Sequence, residues 1–258
     1  MSIIANTEYG ILRLTISRIA RRNTISSDMF DAMSDALTQA ASDEAVRVVL
    51  LKGSADVFSA GADIEESLKN SDRLNAAMSR FFDVLRDFPK PIVAQATGPA
   101  VGAAFAALLY CDLVYCGSRA LFSMPAVALA RTPRFGAARL MTAAAGYPRA
   151  AEKLLLSEPI SAEEAVEMRL ITAVIDDEHI DSVVAAKTAR LAVLPPKAVA
   201  ATKSVLRAGL NEALKAGAAF EEAVSQKQRS TTEAKEALSA FLEGRKPVFR
   251  TDDAAEDH

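Results

Sequence analysis

The sequence has very little of the residues that build metal centres and disulfide frameworks. Its 258 residues include two cysteines, two histidines and no tryptophan. Cys111 and Cys116 lie in a strongly apolar stretch and lack the second pair of ligands that a zinc site requires. We therefore expect two reduced core cysteines and no metal.

The chain also lacks a large excess of charge of either sign. It has 30 lysines and arginines against 33 aspartates and glutamates, a formal net charge of -3. This balance provides no basic field for nucleic acid or anionic lipid, so we expect neither partner. The N-terminal segment has no basic stretch leading into an apolar run. It does not resemble a signal peptide, and we expect a cytoplasmic protein.

One uncharged run, residues 91–111, is long enough to raise the question of a membrane span, because about twenty apolar residues cross a bilayer. Gly98, Pro99 and Gly102 interrupt the run, and Asp112 ends it. Breakers at these positions favour a buried strand, a turn and an alanine-rich helix. We therefore expect no membrane partner.

The first half of the chain alternates between strand and helix patterns. Residues 11–17 alternate apolar and polar side chains after a Tyr9-Gly10 turn, which predicts a hairpin. A helix capped by Ser26 or Ser27 follows, and then a β-branched run at 46–53. The pattern continues with a helix at 73–87, a strand at 91–96, a helix at 102–110 and a strand at 112–116. This order predicts an α/β fold with parallel strand pairing.

From about residue 148 the pattern is helical almost throughout. Ser161 with Glu164, and Ser230 with Glu233, match the spacing of a capping box. Pro195-Pro196 separates two helical segments. The length suits one large domain or one domain with a helical appendage, and nothing in the pattern requires a division into two domains.

Two loops carry the strongest chemical signal. FSAGADIEE at 58–66 follows a strand and places a glycine among small residues before a helix, so a ligand can approach its backbone. ATGPAVGAAF at 96–105 also connects a strand to a helix, whose first N–H groups have no helical partner. If the fold brings the loops together, their N–H groups would form an oxyanion hole.

These motifs resemble the crotonase superfamily of enoyl-CoA hydratases and isomerases. FSAGADI is similar to its first oxyanion loop, and GPAVGAAFAALLYCDLVYC to its second loop, helix and following strand. Further similarities lie in RRNTIS, LFSMPAVAL, GYPRAAEKLLLSEPISAEEA and FLEGRKPVF. The resemblance implies a ClpP-like α/β spiral of ββα units over 1–195, and a helical trimerisation region over 196–258. It also implies a homotrimer or a dimer of trimers.

The resemblance assigns roles to particular positions. The backbone N–H groups of Ala62 and Ala103 would hold the thioester oxygen as it becomes enolate-like. Coenzyme A would enter as part of the substrate, with no separate cofactor. The residues implied to contact it are Ala20, Arg21, Arg22, Ala60, Asp63 and Ile64, with Phe241 and Lys246 from the C-terminal region. Two simpler interpretations stay open: Arg21 and Arg22 as a solvated basic turn, and Asp63 as a helix N-cap.

The chain departs from the family where proton transfer takes place. The two hydratase glutamate positions hold Ala106 and Ala126, and the position used by many family isomerases holds Arg134. Loss of a positioned acid or base lowers rates about a hundred- to ten-thousandfold. We therefore expect weak or absent hydratase activity. Glu65 and Glu66 remain alternative carboxylates, although carboxylates there can simply complement a helix N-terminus.

Three arginines in the expected acyl region suggest a hypothesis about the substrate. Arg131, Arg134 and Arg139 could bind an acyl group that carries its own carboxylate, or they could be solvated surface residues. The sequence thus predicts an acyl-CoA enzyme of fatty acid metabolism that stabilises a thioester enolate. Its alternatives are an inactive acyl-CoA-binding protein and a purely structural trimer.

Overall fold

A twisted six-stranded sheet forms the centre of the molecule. The computed structural model describes residues 3–53 and 56–249. In spatial order the sheet contains β1 (Ile3–Glu8), β2 (Ile11–Ile16), β3 (Val48–Gly53), β4 (Ile92–Ala96), β6 (Leu113–Cys116) and β9 (Ala173–Val174). Only β1 pairs antiparallel to its neighbour; the remaining pairs are parallel. The predicted α/β fold with parallel pairing is confirmed.

The β1–β2 hairpin turns at Tyr9 and Gly10, which have φ values of 50° and 78°. Glycine adopts such positive φ values without steric cost. Glu8 then lies opposite Ile11, and Ile3 opposite Ile16. This confirms the hairpin predicted from the alternating pattern.

A second, smaller sheet was not predicted. It consists of β5 (Ala100–Val101), β7 (Leu121–Ser123) and β8 (Ile160–Ser161), in that order. Strands of two or three residues are too short to show a period of two in the sequence. β8 and β9 also correct the expectation of an almost wholly helical second half.

Ten α-helices are described around the sheets in residues 3–53 and 56–249. They are α1 (Ser27–Ser42), α2 (Ile64–Lys69), α3 (Ser71–Asp87), α4 (Ala103–Leu108), α5 (Ala137–Ala145), α6 (Tyr147–Leu156), α7 (Ala162–Glu167), α8 (Ile180–Val193), α9 (Pro196–Arg229) and α10 (Thr232–Glu243). Ser26 caps α1, and Ser161 caps α7 by accepting from the Glu164 N–H. The cap of α10 is Thr231 rather than the predicted Ser230, since the Thr231 hydroxyl accepts from the Ala234 N–H.

The core lies on both faces of the main sheet. Val49 and Leu51 of β3 belong to the main apolar cluster, which also includes α1 and α3 side chains. Val48 and Leu50 of the same strand face the opposite way, toward α8. A strand buried on both faces has a continuous apolar sequence, as β3 does.

The long helix α9 is attached to the core mainly by polar contacts. Its buried residues are Lys203, Leu214 and Ser225. The Lys203 ammonium lies 2.8 Å from Asp112 Oδ2 and donates to the Lys90 carbonyl oxygen at 2.7 Å. The first residue of α9, Pro196, adjoins the boundary expected from the sequence, while the division into two regions stays a prediction.

Both cysteines of the chain lie among the described residues. Cys111 and Cys116 are free thiols, and burial raises the pKa of each to about 12. Within 3–53 and 56–249, no helix combines the length and the apolar character needed to cross a membrane.

Candidate active site

The first candidate oxyanion loop is held by backbone hydrogen bonds to the RRNTIS segment. The Ala60 N–H donates to the Arg22 carbonyl oxygen at 3.0 Å, and the Ile25 N–H donates to the Gly61 carbonyl oxygen at 2.8 Å. Ile25 and Ala62 thereby form a parallel β-bridge. In such a bridge the N–H of Ala62 points away from Ile25. Within the described part of the chain, this N–H has no hydrogen-bond acceptor.

The second loop lies directly against the first. The Ser59 N–H donates to the Pro99 carbonyl oxygen at 3.1 Å, and the Val101 N–H donates to the Ser59 carbonyl oxygen at 3.0 Å. Gly61 has a φ of 89°, and a Cβ there would lie 2.6 Å from the Val101 oxygen and 3.6 Å from the Ala103 nitrogen. Only glycine permits this approach.

The start of α4 supplies the second donor. Gly102, with φ 55° and ψ -119°, turns the chain into the helix, and its N–H donates to the Ser123 carbonyl oxygen at 2.8 Å. The Ala103 N–H has no acceptor among the residues that the structure describes. The structure therefore brings two unpartnered N–H groups, those of Ala62 and Ala103, onto adjoining loops. Pairs of such donors can stabilise a developing oxyanion.

The residues expected near coenzyme A lie on and beside the first loop. Ala20, Arg21 and Arg22 are exposed, and Ala60 and Ile64 are half-buried. The Arg21 guanidinium pairs with the Glu65 carboxylate, and this hydrogen bond raises the pKa of Arg21. Glu65 is thus engaged at the surface.

Asp63 has a structural role that its position in the sequence suggested. Its carboxylate caps α2 by accepting from the Glu66 N–H at 3.2 Å, and it lies 2.7 Å from the Arg18 guanidinium. Burial opposes ionisation, but the Arg18 and Glu66 hydrogen bonds prevail and lower the pKa of Asp63. The Asp63 N–H donates to the Ile25 carbonyl oxygen at 2.9 Å, so the carboxylate and the N–H of Asp63 both have partners within the chain.

The two positions to which the resemblance assigns proton transfer in hydratases hold alanine. Ala106 is buried in the core, and Ala126 is half-buried at the start of a 3-10 turn, Val127–Leu129. Glu66 is engaged elsewhere: its carboxylate accepts from the backbone N–H of Ser27 at 2.9 Å and from the Ser27 hydroxyl. Glu66 thus complements the start of α1.

The C-terminal residues implied by the resemblance lie at the end of α10 and beyond it. Phe241 is 55% exposed, and Lys246 is exposed in the segment that follows the helix. Both are open to solvent in the single chain.

The arginines separate into two environments. The side chain of Arg134 is 13% exposed, while Arg139 is exposed on α5. Burial and the neighbouring charges of Arg229 and Arg134 lower the pKa of Arg131. The sequence prediction thus included Arg139, which lies apart, and omitted Arg229. Sequence spacing offers no signal for Arg229, because the docking of α9 alone brings it near the others.

Several known proteins are similar to this chain in sequence or in structure. The model of the enoyl-CoA hydratase/isomerase family matches residues 6–252. The 2,3-dehydroadipyl-CoA hydratase of Escherichia coli (strain K12) is 30% identical over 250 residues, covering 96% of this chain and 98% of that protein. Enoyl-CoA delta isomerase 2 of Rattus norvegicus is 31% identical over 221 residues, covering 83% of this chain and 56% of that protein.

The crystal structure of an enoyl-CoA hydratase/isomerase from Pseudoalteromonas atlantica T6c superimposes with a TM-score of 0.91 at 28% identity, covering 97% of this chain and 100% of that one. The architecture is therefore the crotonase fold. The chain belongs to the enoyl-CoA hydratase/isomerase family.

Proposed function

We propose that this protein binds an acyl-CoA thioester and stabilises its enolate through the backbone N–H groups of Ala62 and Ala103. The observation that carries the proposal is the pair of adjoining N–H groups without acceptors in the described chain. Because the donors belong to the backbone, alanine serves at position 103 as well as glycine would. Loss of one such donor typically lowers the rate about a hundred- to a thousandfold.

No separate cofactor is proposed for this protein. Coenzyme A is part of the substrate, and no further cofactor is required to polarise a thioester carbonyl. Arg22 is exposed beside the first loop, and Arg21 lies next to it in an ion pair with Glu65. Guanidinium groups suit phosphate oxygens, so these residues would meet the nucleotide part of the ligand.

The reaction is not ordinary hydration in this proposal. Ala106 and Ala126 cannot transfer protons, while Glu65 and Glu66 are engaged in an ion pair and a helix cap. Hydratases and isomerases both occur among the relatives, so their names leave the reaction open. The same observation favours a second candidate, an acyl-CoA-binding protein that has lost catalysis.

The proposed assembly is a homotrimer or a dimer of trimers, acting in the cytoplasm. Its support in the single chain is a set of large apolar side chains left in solvent on α8 and α9. Val193, Val205, Leu206 and Phe220 are each more than 70% exposed. Exposed apolar surface of this kind commonly marks a subunit interface. Size-exclusion chromatography with light scattering would give the number of subunits.

The first experiment measures binding and turnover on one preparation. Calorimetric titration with crotonyl-CoA and acetoacetyl-CoA tests thioester binding, and a thioether analogue of crotonyl-CoA without the carbonyl oxygen is the matched control. We expect the thioester to bind about fivefold more tightly, because a hydrogen bond to a polarised carbonyl contributes about 1 kcal/mol. Equal affinity would contradict the oxyanion hole, and no binding would contradict the acyl-CoA assignment.

The second experiment separates enzyme from binding protein. Hydrogen exchange at C2 of saturated acyl-CoA esters in heavy water reports enolate formation, and ultraviolet absorbance reports loss of a conjugated thioester. Exchange without hydration is the result expected for an enolate-forming enzyme in which hydroxide from the solvent, rather than a side chain, accepts the C2 proton. Binding without exchange or turnover across a panel of esters would favour the binding protein. Rapid hydration would show that a proton-transfer group operates beyond the positions of Ala106 and Ala126.

A further inference from the structure

Three arginine side chains meet between the 131–134 loop and α9, and two of them share one carboxylate. Arg134 Nη2 donates to Glu222 Oε2 at 2.8 Å, and Arg229 Nη2 donates to Glu222 Oε1 at 2.9 Å. Arg134 also donates to Asn75 Oδ1 at 2.7 Å. The Arg134 and Arg229 side chains are 13% and 20% exposed. The Glu222 carboxylate thus binds two poorly solvated guanidinium groups.

The third guanidinium, that of Arg131, has no carboxylate partner within the described residues. Its Nη2 contacts the Ser67 hydroxyl at 3.3 Å, and its Nε is buried without a hydrogen-bond acceptor there. Burial, then the charges of Arg229 and Arg134, lower the pKa of Arg131. Burial of a cation beside like charges is unfavourable unless an anion compensates it. Glu221 is a second carboxylate that interacts with Arg134, so the three arginines exceed the neighbouring carboxylates by one positive charge, which an anion could compensate.

The cluster is connected to both candidate oxyanion loops. Ser67 lies on α2, the helix that begins directly after the first loop. The Arg131 N–H donates to the Ala126 carbonyl oxygen at 2.8 Å. Ala126 follows β7, whose last residue, Ser123, accepts the Gly102 N–H at the second loop. These hydrogen bonds place Arg131 beside Ala126 and beside the helix that follows the first loop.

We propose that Arg131, with Arg134 and Arg229, forms a subsite for a carboxylate at the far end of the acyl group. The ligand would be a dicarboxylic acid joined to coenzyme A at one end only. Arginine suits this role because its planar fork of N–H donors matches the two carboxylate oxygens. The inference rests on the proposed acyl-CoA function and adds the class of acyl group.

The test compares esters that differ only in the terminal group. Adipyl-CoA and hexanoyl-CoA have the same chain length, as do glutaryl- and pentanoyl-CoA, and suberyl- and octanoyl-CoA. Calorimetry on the intact protein should show at least tenfold tighter binding of the dicarboxylic ester at one length or more. Arg131→Gln should weaken binding of the dicarboxylic ester about ten- to a hundredfold, since hydrogen bonds to charged groups are strong. The same variant should change the affinity for the matching monocarboxylic ester by less than about threefold.

Arg139→Gln is the matched control, because Arg139 is an exposed arginine of the same segment. It should change neither affinity. Thermal melting checks the fold, and Arg131→Gln should melt no lower than the wild type because it removes an uncompensated buried charge.

A second variant keeps the proposal testable if Arg131→Gln does not fold. Glu222→Gln removes the carboxylate that competes for Arg134 and Arg229, so it should increase the preference for the dicarboxylic ester severalfold. Three results would overturn the subsite. The first is equal affinity for the two esters of every pair. The others are an equal loss of affinity for both esters in Arg131→Gln, and an unchanged preference for the dicarboxylic ester in Glu222→Gln. Failure of every ester to bind the wild type would instead overturn the proposed function itself.

Discussion

The two candidate oxyanion loops and the α9 interface are held together by different kinds of contact. The loops are held by backbone hydrogen bonds and by glycines that allow close approach, and their candidate donors are backbone N–H groups. The α9 interface depends on side-chain charges, with Lys203 paired to Asp112 and Glu222 shared by two arginines. The first arrangement is insensitive to side-chain identity so long as the backbone path is kept. The charged contacts of the α9 interface can change with a single substitution.

This difference bears on how the site can vary. Positions 106 and 126 hold alanine, while the two loops keep the N–H groups of Ala62 and Ala103 without acceptors in the described chain. A thioester site can thus persist while the side chains around the acyl group change. Side chains, above all the buried arginines, would then decide which acyl group is accepted.

The largest expected effect comes from deleting a backbone donor. Ala103→Pro removes the N–H at the first position of α4, where proline suits the helix geometry. We expect the rate of C2 exchange to fall about a hundred- to a thousandfold. Ala103→Gly keeps the N–H and should exchange at nearly the wild-type rate. Equal rates in the two variants would mean that the Ala103 donor is not used.

The next effect tests the charged α9 interface. Asp112→Ala leaves the Lys203 ammonium, on a side chain only 9% exposed, without its carboxylate. It should lower the free energy of unfolding by about 3 kcal/mol, because one partner of a buried pair is removed. Chemical denaturation measures the change. The double variant Asp112→Asn with Lys203→Met leaves no unpaired charge and should be more stable than Asp112→Ala. The reverse order would contradict an electrostatic attachment of α9.

A smaller effect is expected at the start of α2. Asp63→Asn keeps the helix cap but loses the charge that pairs with Arg18, so we expect it to lower the free energy of unfolding by about 1 to 2 kcal/mol at pH 7. The folded-state pKa of Asp63 is below the unfolded value, which is about 3.9. The stabilisation is therefore present above that unfolded pKa and is lost as the pH falls through the folded pKa. Denaturation of the wild type and the variant between pH 7 and pH 3 should show that the difference between their free energies of unfolding decreases below about pH 4. A constant difference would be inconsistent with this ionisation.

The smallest effect is expected at the surface ion pair. Glu65→Gln breaks the pair with Arg21, in which both side chains are 51% exposed, and exposed pairs contribute little. Melting temperature and C2 exchange should both stay close to the wild type. A large loss of exchange with an unchanged melting temperature would assign Glu65 to proton transfer.

Much of the fold was predictable because its signals are local. The hairpin, β3, α1 and β4 have clear periods or apolar runs, and the predicted bounds fall within a few residues of the observed ones. The three short strands of the second sheet had no such signal. The capping box at Ser161 was identified correctly, whereas the one at Ser230 was displaced by one residue because Thr231 offers the same hydroxyl chemistry.

The sequence by itself determined the order of the longer strands and helices, and it contained the family motifs. The first follows from periodicity, while the positions of the candidate backbone donors follow from the resemblance of the two loops to those motifs. Tertiary structure alone decided that Gly61 lies against Val101, and that Arg134 meets Glu222, 88 residues away in the sequence. Contacts of this range depend on how the loops and α9 pack on the sheet, and the pattern of residues within any one segment does not encode that packing.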